Sequence, residues 1–208
     1  EKYGLDVELV YVAGGSALTQ ALVGGNFDIA QNGYAPGAQA IASGADLVFV
    51  GGITNKLAFQ FIVKPEITNA EQLKGKRISI SRFGSLTDVA ARKVLEHLGL
   101  TEQDVIILQT GGTAERGAAL MNGQVDATLE QHPQTDVLTA EGFKVLVELK
   151  DIAENYPNSS YVVTRDSLET NRESIKKFLM AMTEGVYEYK KNRDEAIAMT
   201  AEFFEMDD

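Results

Sequence analysis

The stretch Ser81-Arg82-Phe83-Gly84-Ser85-Leu86-Thr87-Asp88 sets an arginine, a glycine turn and three hydroxyls at the mouth of an apolar-periodic segment. Ser85 is placed to cap a helix there. The free amides at that helix start, with the positive end of its dipole, can hold a sulfonate, phosphate or carboxylate. Arg82 adds a planar fork that matches such oxyanions. On the residues alone, the alternative is a plain cap beside a surface arginine. Gly14-Gly15-Ser16 repeats the arrangement nearer the N-terminus, where glycines permit close backbone approach and Ser16 can cap its helix or donate to a ligand. Neither loop matches G-x-x-x-x-G-K-[ST] or G-x-G-x-x-G, so nucleotide binding is not expected.

Asn32, Tyr34, Thr54, Asn55 and Thr110 bring amides and hydroxyls to loops that follow predicted strands, and Tyr34 and Phe83 bring apolar faces. A mostly apolar pocket with a few polar anchors needs that mixture; solvated loop residues are the alternative. Glu130 at a strand end would repel a simple anion and favour an ammonium or ring N–H. It could equally cap a helix or pair with Arg116 or Arg82. His132 can donate to a ligand or serve as a turn residue before Pro133, and His97 is expected on a helix surface. No Gly-x-Ser-x-Gly elbow, His-Glu-x-x-His helix or cysteine–histidine pair is present, and two histidines offer little for a metal site. Catalytic residues, metals and cofactors are therefore not expected.

The elements that must position these residues alternate. Asp6 to Val12 reads as a strand by its period of two, followed by a helix over 17–23 and a strand near 27–30. A helix over 35–43 ends at Gly44, and Leu47 to Val50 is a buried strand. After Leu57 to Val63 and Lys64-Pro65, the pattern starts again: strand 77–81, helix 88–98, strand 105–108, helix 114–121, and strands 127–129 and 145–149. Gly14, Ala21, Leu22, Gly25 and Asp28 recur at one constant spacing as Gly112, Ala119, Leu120, Gly123 and Asp126. A long amphipathic helix follows, with Thr170 and Glu173 as a capping box and Ile175, Phe178, Leu179, Met182, Val186 and Tyr189 on one face. A last helix covers about 194–204. Alternating strands and helices predict mostly parallel α/β sheets, with ligands beyond the carboxyl ends of strands.

A length of 208 residues allows one domain or two small lobes. The hydrophobic fraction of 44% and charged fraction of 24% are those of a globular protein. A net charge of -11 argues against nucleic-acid binding, which needs a cationic field. No apolar run approaches a membrane span, and the residues from Glu1 lack signal-peptide features. The absence of cysteine excludes disulfides and thiolate chemistry and leaves the compartment open.

Tyr3-Gly4-Leu5-Asp6-Val7-Glu8-Leu9, Ala21-Leu22-Val23-Gly24-Gly25-Asn26-Phe27-Asp28, Leu73-Lys74-Gly75-Lys76-Arg77-Ile78 and Ala119 to Ala127 occur in an order that resembles one family: the sulfonate, nitrate, taurine and thiamine-precursor binding proteins of ABC importers. The resemblance implies the type II periplasmic-binding fold, an α/β protein of two lobes with mixed, mostly parallel sheets. The first would take 1–63 plus 161–208 and the second 64–160, with hinge crossings at Ile62 to Pro65 and Ser160 to Val163. It implies a non-catalytic, monomeric receptor for a small anionic or zwitterionic organic molecule. That receptor would be periplasmic, or extracellular and lipid-anchored, and would deliver to ABC permease subunits. Its ligand would meet Gly15, Ser16, Asn32, Tyr34, Thr54, Asn55, Arg82, Phe83, Gly84, Ser85, Thr87, Thr110, Glu130 and His132. Family members carry a strand and helix before Tyr3 and helices after Phe204, so the chain is expected to be shortened at both ends. A binder of a thiamine-pyrimidine precursor and a sensory input domain are the alternatives. The related pyrimidine synthases carry a cysteine-rich motif that this chain lacks.

Overall fold

The computed structural model describes residues 2–153 and 155–203. The chain divides into two compact units, Tyr11–Arg165 and Glu1–Val10 with Asp166–Asp208.

The larger unit holds two sheets. Strands β1 (Ala30–Gly33) and β2 (Leu47–Thr54) flank β8 (Ser159–Thr164), each antiparallel to it. The expected βαβ pair is thus separated by a late strand, and this sheet is antiparallel rather than mostly parallel. The apolar run Tyr161-Val162-Val163 is buried, as suits a central strand. The second sheet has the order β5 (Ile106–Gln109), β4 (Arg77–Ile80), β6 (Ala127–Glu130), β3 (Gln60–Val63), β7 (Lys144–Glu148). Here β4 is parallel to β5 and β6, while β3 is antiparallel to β6 and β7.

Residues up to 63 are expected in one lobe with Tyr161 to Val163, and β3 instead lies between β6 and β7 of the larger sheet. Phe61, Ile62 and Val63 have no exposure on either face, which fits an interior strand of the larger sheet and not an edge of the smaller. The expected crossings at 62–65 and 160–163 therefore fall within or just after strands. The chain passes from one sheet to the other between Thr54 and Gln60, and returns between Glu148 and Ser159. The strand expected at 6–12 is also absent: no strand is assigned there. Val7, Leu9, Val10 and Tyr11 are 49%, 87%, 54% and 80% exposed. Alternation sets which side faces a core, but a strand also needs a partner for its backbone groups.

Helices α1 (Gly15–Val23) and α2 (Tyr34–Ala42) pack with the smaller sheet. Helices α3 (Leu86–His97), α4 (Thr113–Met121), α5 (Gln134–Ala140) and α6 (Leu149–Ile152) accompany the larger. The main apolar cluster joins Ile78 and Ile80 of β4, Phe61 and Val63 of β3, and Ala90, Val94 and Leu95 of α3. Asp126 fastens the start of this sheet: its carboxylate accepts from Lys64 Nζ at 2.7 Å and from the Arg77 amide and Nε at 3.0 Å each. These cations hold its carboxyl well below the usual carboxylate range despite the opposing effect of burial.

In the smaller unit, α7 (Arg165–Thr170) leads to α8 (Arg172–Lys191) and α9 (Arg193–Phe203). The expected capping box is not formed. Asn171 occupies the N-cap position, and the Thr170 hydroxyl, still inside α7, donates to the Asp166 carbonyl at 2.8 Å. Of the stripe expected on α8, Ile175 is buried, whereas Val186 and Tyr189 are exposed. Among the described residues, no helix is long and apolar enough to cross a membrane.

Candidate functional site

A cavity of about 310 Å³ lies in the larger unit, walled by residues of the smaller sheet, by residues just beyond the strand ends of the larger one, and by their helices. The starts of three helices reach it, at Gly14-Gly15, at Ser85-Leu86 and at Gly112-Thr113. Helices α1 and α4 begin at glycine N-caps with no side-chain cap hydrogen bond, and over Gly112 the Tyr11 hydroxyl and the Glu115 carboxylate lie close. Gly14 has φ +92, a conformation that suits glycine, and a Cβ there would come within 3.0 Å of the Arg82 stem. At Gly15 a Cβ would lie 2.5 Å from Asn32 Oδ1. That close approach lets Asn32 Nδ2 donate to the Gly15 carbonyl at 2.9 Å and to Thr19 Oγ1 at 2.8 Å, fixing α1 against the end of β1.

On the opposite wall, the hydroxyls of Ser81, Ser85 and Thr87 form a buried triangle with 2.9 Å sides. Ser85 also caps α3, accepting from the Asp88 amide at 3.4 Å. The amides just before it are already engaged. Gly84 donates to Asp88 Oδ2 at 2.8 Å and Phe83 donates to Gln109 Oε1 at 2.8 Å. Arg82 is exposed and is not among the cavity-lining residues; its Nε donates to the Ala13 carbonyl at 3.3 Å. Within the expected site of Arg82 and the amides of Gly84 to Thr87, the Gly84 amide is thus taken by an acidic first-turn residue, while Ser85, Leu86 and Thr87 line the cavity with Ser81.

The cationic group on the cavity wall is Arg116, on the first turn of α4. It is buried. Nε donates to the Leu129 carbonyl at 3.2 Å, Nη1 to the Gly111 carbonyl at 3.2 Å, and Nη2 to Glu130 Oε2 at 3.0 Å. Glu130 has no exposure and does not line the cavity; Thr128 Oγ1 donates to its other oxygen at 3.2 Å. Burial pushes the Glu130 carboxyl up to about 7, against the opposing pull of Arg116 and Thr128. The ion pair, one of the two alternatives open in the sequence, is the arrangement present.

Of the expected site residues, the structure brings Gly15, Asn32, Ser85 and Thr87 to this cavity. Tyr34, Thr54 and Asn55 gather instead at a second cavity of about 650 Å³ beside β2, where Tyr34 stacks on Phe49 with ring centroids 4.7 Å apart. Ser16 lies inside the first turn of α1, not at its cap. The Thr110 hydroxyl bonds to Ser79. His132 is exposed, its Nδ1 2.8 Å from Asp136 Oδ2 and its Nε2 3.3 Å from Gln60. Arg116, Tyr11 and Thr113 line the cavity without having been expected there. The repeat held a signal for Arg116, since at its spacing Arg116 matches Leu18, and both line the cavity.

Two sheets, connected by two chain crossings and sharing a cavity fed by helix N-termini, define the periplasmic-binding fold. A Candida albicans gene product described as having the generic form of that fold superimposes with a TM-score of 0.81 at 21% identity, over 97% of this chain and 67% of that one. Within that fold the chain belongs to the NMT1/THI5-like family, whose family model matches residues 1–196. It is similar to the periplasmic aliphatic sulphonate binding protein of Escherichia coli, with a TM-score of 0.73 at 26% identity over 93% of this chain and 67% of that one. It is similar also to the alkanesulfonate-binding protein of Xanthomonas axonopodis bound to MOPS, with a TM-score of 0.82 at 25% identity and coverage of 93% and 67%. By sequence it is 30% identical over 192 residues to a protein provisionally named an aliphatic sulfonates-binding protein in Escherichia coli K12. That alignment takes in 90% of this chain, and the chain spans 59% of the relative's length.

Proposed function

We propose that this chain is the ligand-capturing part of the binding component of an ABC importer, and that it takes a small sulfonate-type anion or zwitterion into the 310 Å³ cavity. The observation that carries this reading is the meeting of two uncapped helix N-termini with a buried arginine edge and a triangle of hydroxyls. A tetrahedral oxyanion accepts hydrogen bonds in several directions, and amides at Gly15 and Thr113, Arg116 and the hydroxyls supply donors from both walls. The sulfonate-binding relatives support the choice of anion. The protein then works in the periplasm, or outside the cell on a lipid anchor, and hands its ligand unchanged to permease subunits. No nucleophile–base pair in the cavity suggests turnover. Two lobes, bounded at the crossings 55–59 and 149–158, close on the ligand because residues from both must desolvate it.

A thermal-shift screen of alkanesulfonates, taurine, short carboxylates and thiamine-pyrimidine precursors tests this, because binding to the folded state alone raises its stability. The expected result is a shift with sulfonates. A shift only with the neutral or cationic heterocycles would replace this reading by that of a precursor-binding protein.

A further inference from the structure

The Arg116–Glu130 pair gives the proposed anion a competitor already in place, and the following rests on that functional reading. Two edges of the guanidinium are fixed by the carbonyls of Leu129 and Gly111. The remaining Nη2 edge carries Glu130 at 3.0 Å and a weak contact to Thr113 Oγ1 at 3.4 Å. Arg116 lines the cavity, so an anion arriving there competes with Glu130 for the same guanidinium. Glu130 has little else to compensate its charge. On its own strand it has the Thr128 hydroxyl, and opposite it on β3 stands Gln60, a neutral amide. The Gln60 amide is turned to Glu148 Oε1 at 3.0 Å and to His132. His132 itself pairs with Asp136 at the start of α5. From α3, Asp88 is bound by the Gly84 amide and by Arg92, and β4 offers the Ser79 hydroxyl to Thr110. Among the described residues, the cation in contact with Glu130 is Arg116.

We propose that an anion bound at Arg116 draws the guanidinium away from Glu130, and that Glu130 takes up a proton from solvent in exchange. One O–H bond forms on the Glu130 carboxylate, the proton comes from the buffer, and no other covalent bond changes. A carboxylate stripped of its cation at zero exposure is strongly disfavoured against its neutral form. The proton is within reach near neutral pH, because burial already pushes this carboxyl up to about 7. Ligand binding is therefore coupled to proton binding. Affinity is highest and flat below about pH 7, where Glu130 already holds its proton. It falls by up to about tenfold per pH unit above that, until the ligand-bound carboxyl also ionises.

Titration calorimetry with 1-propanesulfonate, an anion throughout the range, tests the coupling. At pH 8, in two buffers of different ionisation enthalpy, wild type should take up close to one proton per ligand, and Glu130→Gln should take up none and bind with a flat pH profile. Binding by wild type with no buffer dependence and a flat profile would overturn the coupling while leaving the functional reading intact. A second measurement needs no ligand: carbon NMR of the Glu130 carboxyl, assigned by its loss in Glu130→Gln. A midpoint near neutrality supports the exchange; a midpoint in the ordinary carboxylate range, about 4, sinks it whatever the ligand proves to be.

Discussion

Helix α1 with strand β1, and helix α4 with strand β6, follow one plan and fill it with different chemistry. Each helix opens at an uncapped glycine, Gly14 or Gly112, and its fourth residue past that glycine, Leu18 or Arg116, turns to the cavity. After a glycine turn at Gly25 or Gly123 with positive φ, each strand carries near its end a polar residue tied back to its helix: Asn32 to the Gly15 carbonyl, Glu130 to the Arg116 side chain. The neutral half fastens its helix with amide hydrogen bonds and presents a methyl-lined wall. The other half fastens its helix with charge and places the charged side chain itself on the cavity wall. A single supersecondary unit thus serves as scaffold in one place and as receptor in the other, and the change lies at two positions.

Breaking the charged half alone should have the largest effect. Arg116→Ala leaves Glu130 buried without its cation and is expected to cost about 3–5 kcal/mol at pH 8 in urea unfolding. The loss should shrink at pH 5, where Glu130 is neutral. Making the two halves alike sharpens the comparison. Arg116→Leu with Glu130→Asn copies Leu18 and Asn32, and stability should return to within about 2 kcal/mol of wild type, since removing both members of a buried pair is often near neutral. Binding of 1-propanesulfonate should still weaken by more than about tenfold. A double variant as unstable as Arg116→Ala would show that the pair is not what holds α4.

The neutral half is expected to respond to shape. Gly15→Ala drives a methyl into Asn32 Oδ1 and should cost about 1–3 kcal/mol, seen as a lower midpoint in thermal unfolding. The pH dependence of wild type against Glu130→Gln isolates the carboxyl. Its folded value lies above the ordinary 4.5, so its contribution is complete below that pH and is lost as pH rises to about 7. Wild type should therefore lose stability relative to Glu130→Gln across that window and run parallel to it above. Asp126 acts in the opposite sense, losing its contribution as pH falls, and is common to both proteins. The smallest effect is expected at Arg82→Ala, an exposed side chain holding one carbonyl at 3.3 Å: under about 1 kcal/mol by urea unfolding, with sulfonate affinity nearly unchanged.

Local chemistry was legible in the sequence where neighbouring residues determine it. Ser85 caps α3, Gly15 admits the close approach of Asn32, and the helix starts at 15, 86 and 113 fall within two residues of their expected places. Pairing between distant segments was not. Nothing within Phe59 to Val63 says which sheet it joins, and nothing in Asp6 to Val12 supplies a partner strand. In the expected oxyanion loop, the Asp88 that makes a good first turn also occupies the Gly84 amide, a bond the sequence does not announce. Arg116 was legible as a partner of Glu130, and its match to Leu18 in the repeat points it to the cavity. Tyr34, Thr54 and Asn55 lie at strand ends as expected, yet they line the second cavity.

The position of β8 bears on the order in which the chain can acquire its structure during synthesis. Every strand of the larger sheet lies between Gln60 and Glu148, so that sheet has all its members once this continuous stretch has left the ribosome. Strands β1 and β2 emerge earlier, but both pair with β8, more than a hundred residues after β2 begins. Among the described residues they have no ladder to join until Thr164 has been made. The later-encoded half of the cavity can consequently be ordered first and act as the surface on which the earlier-encoded half assembles, a reversal of the N-to-C sequence in which the segments appear.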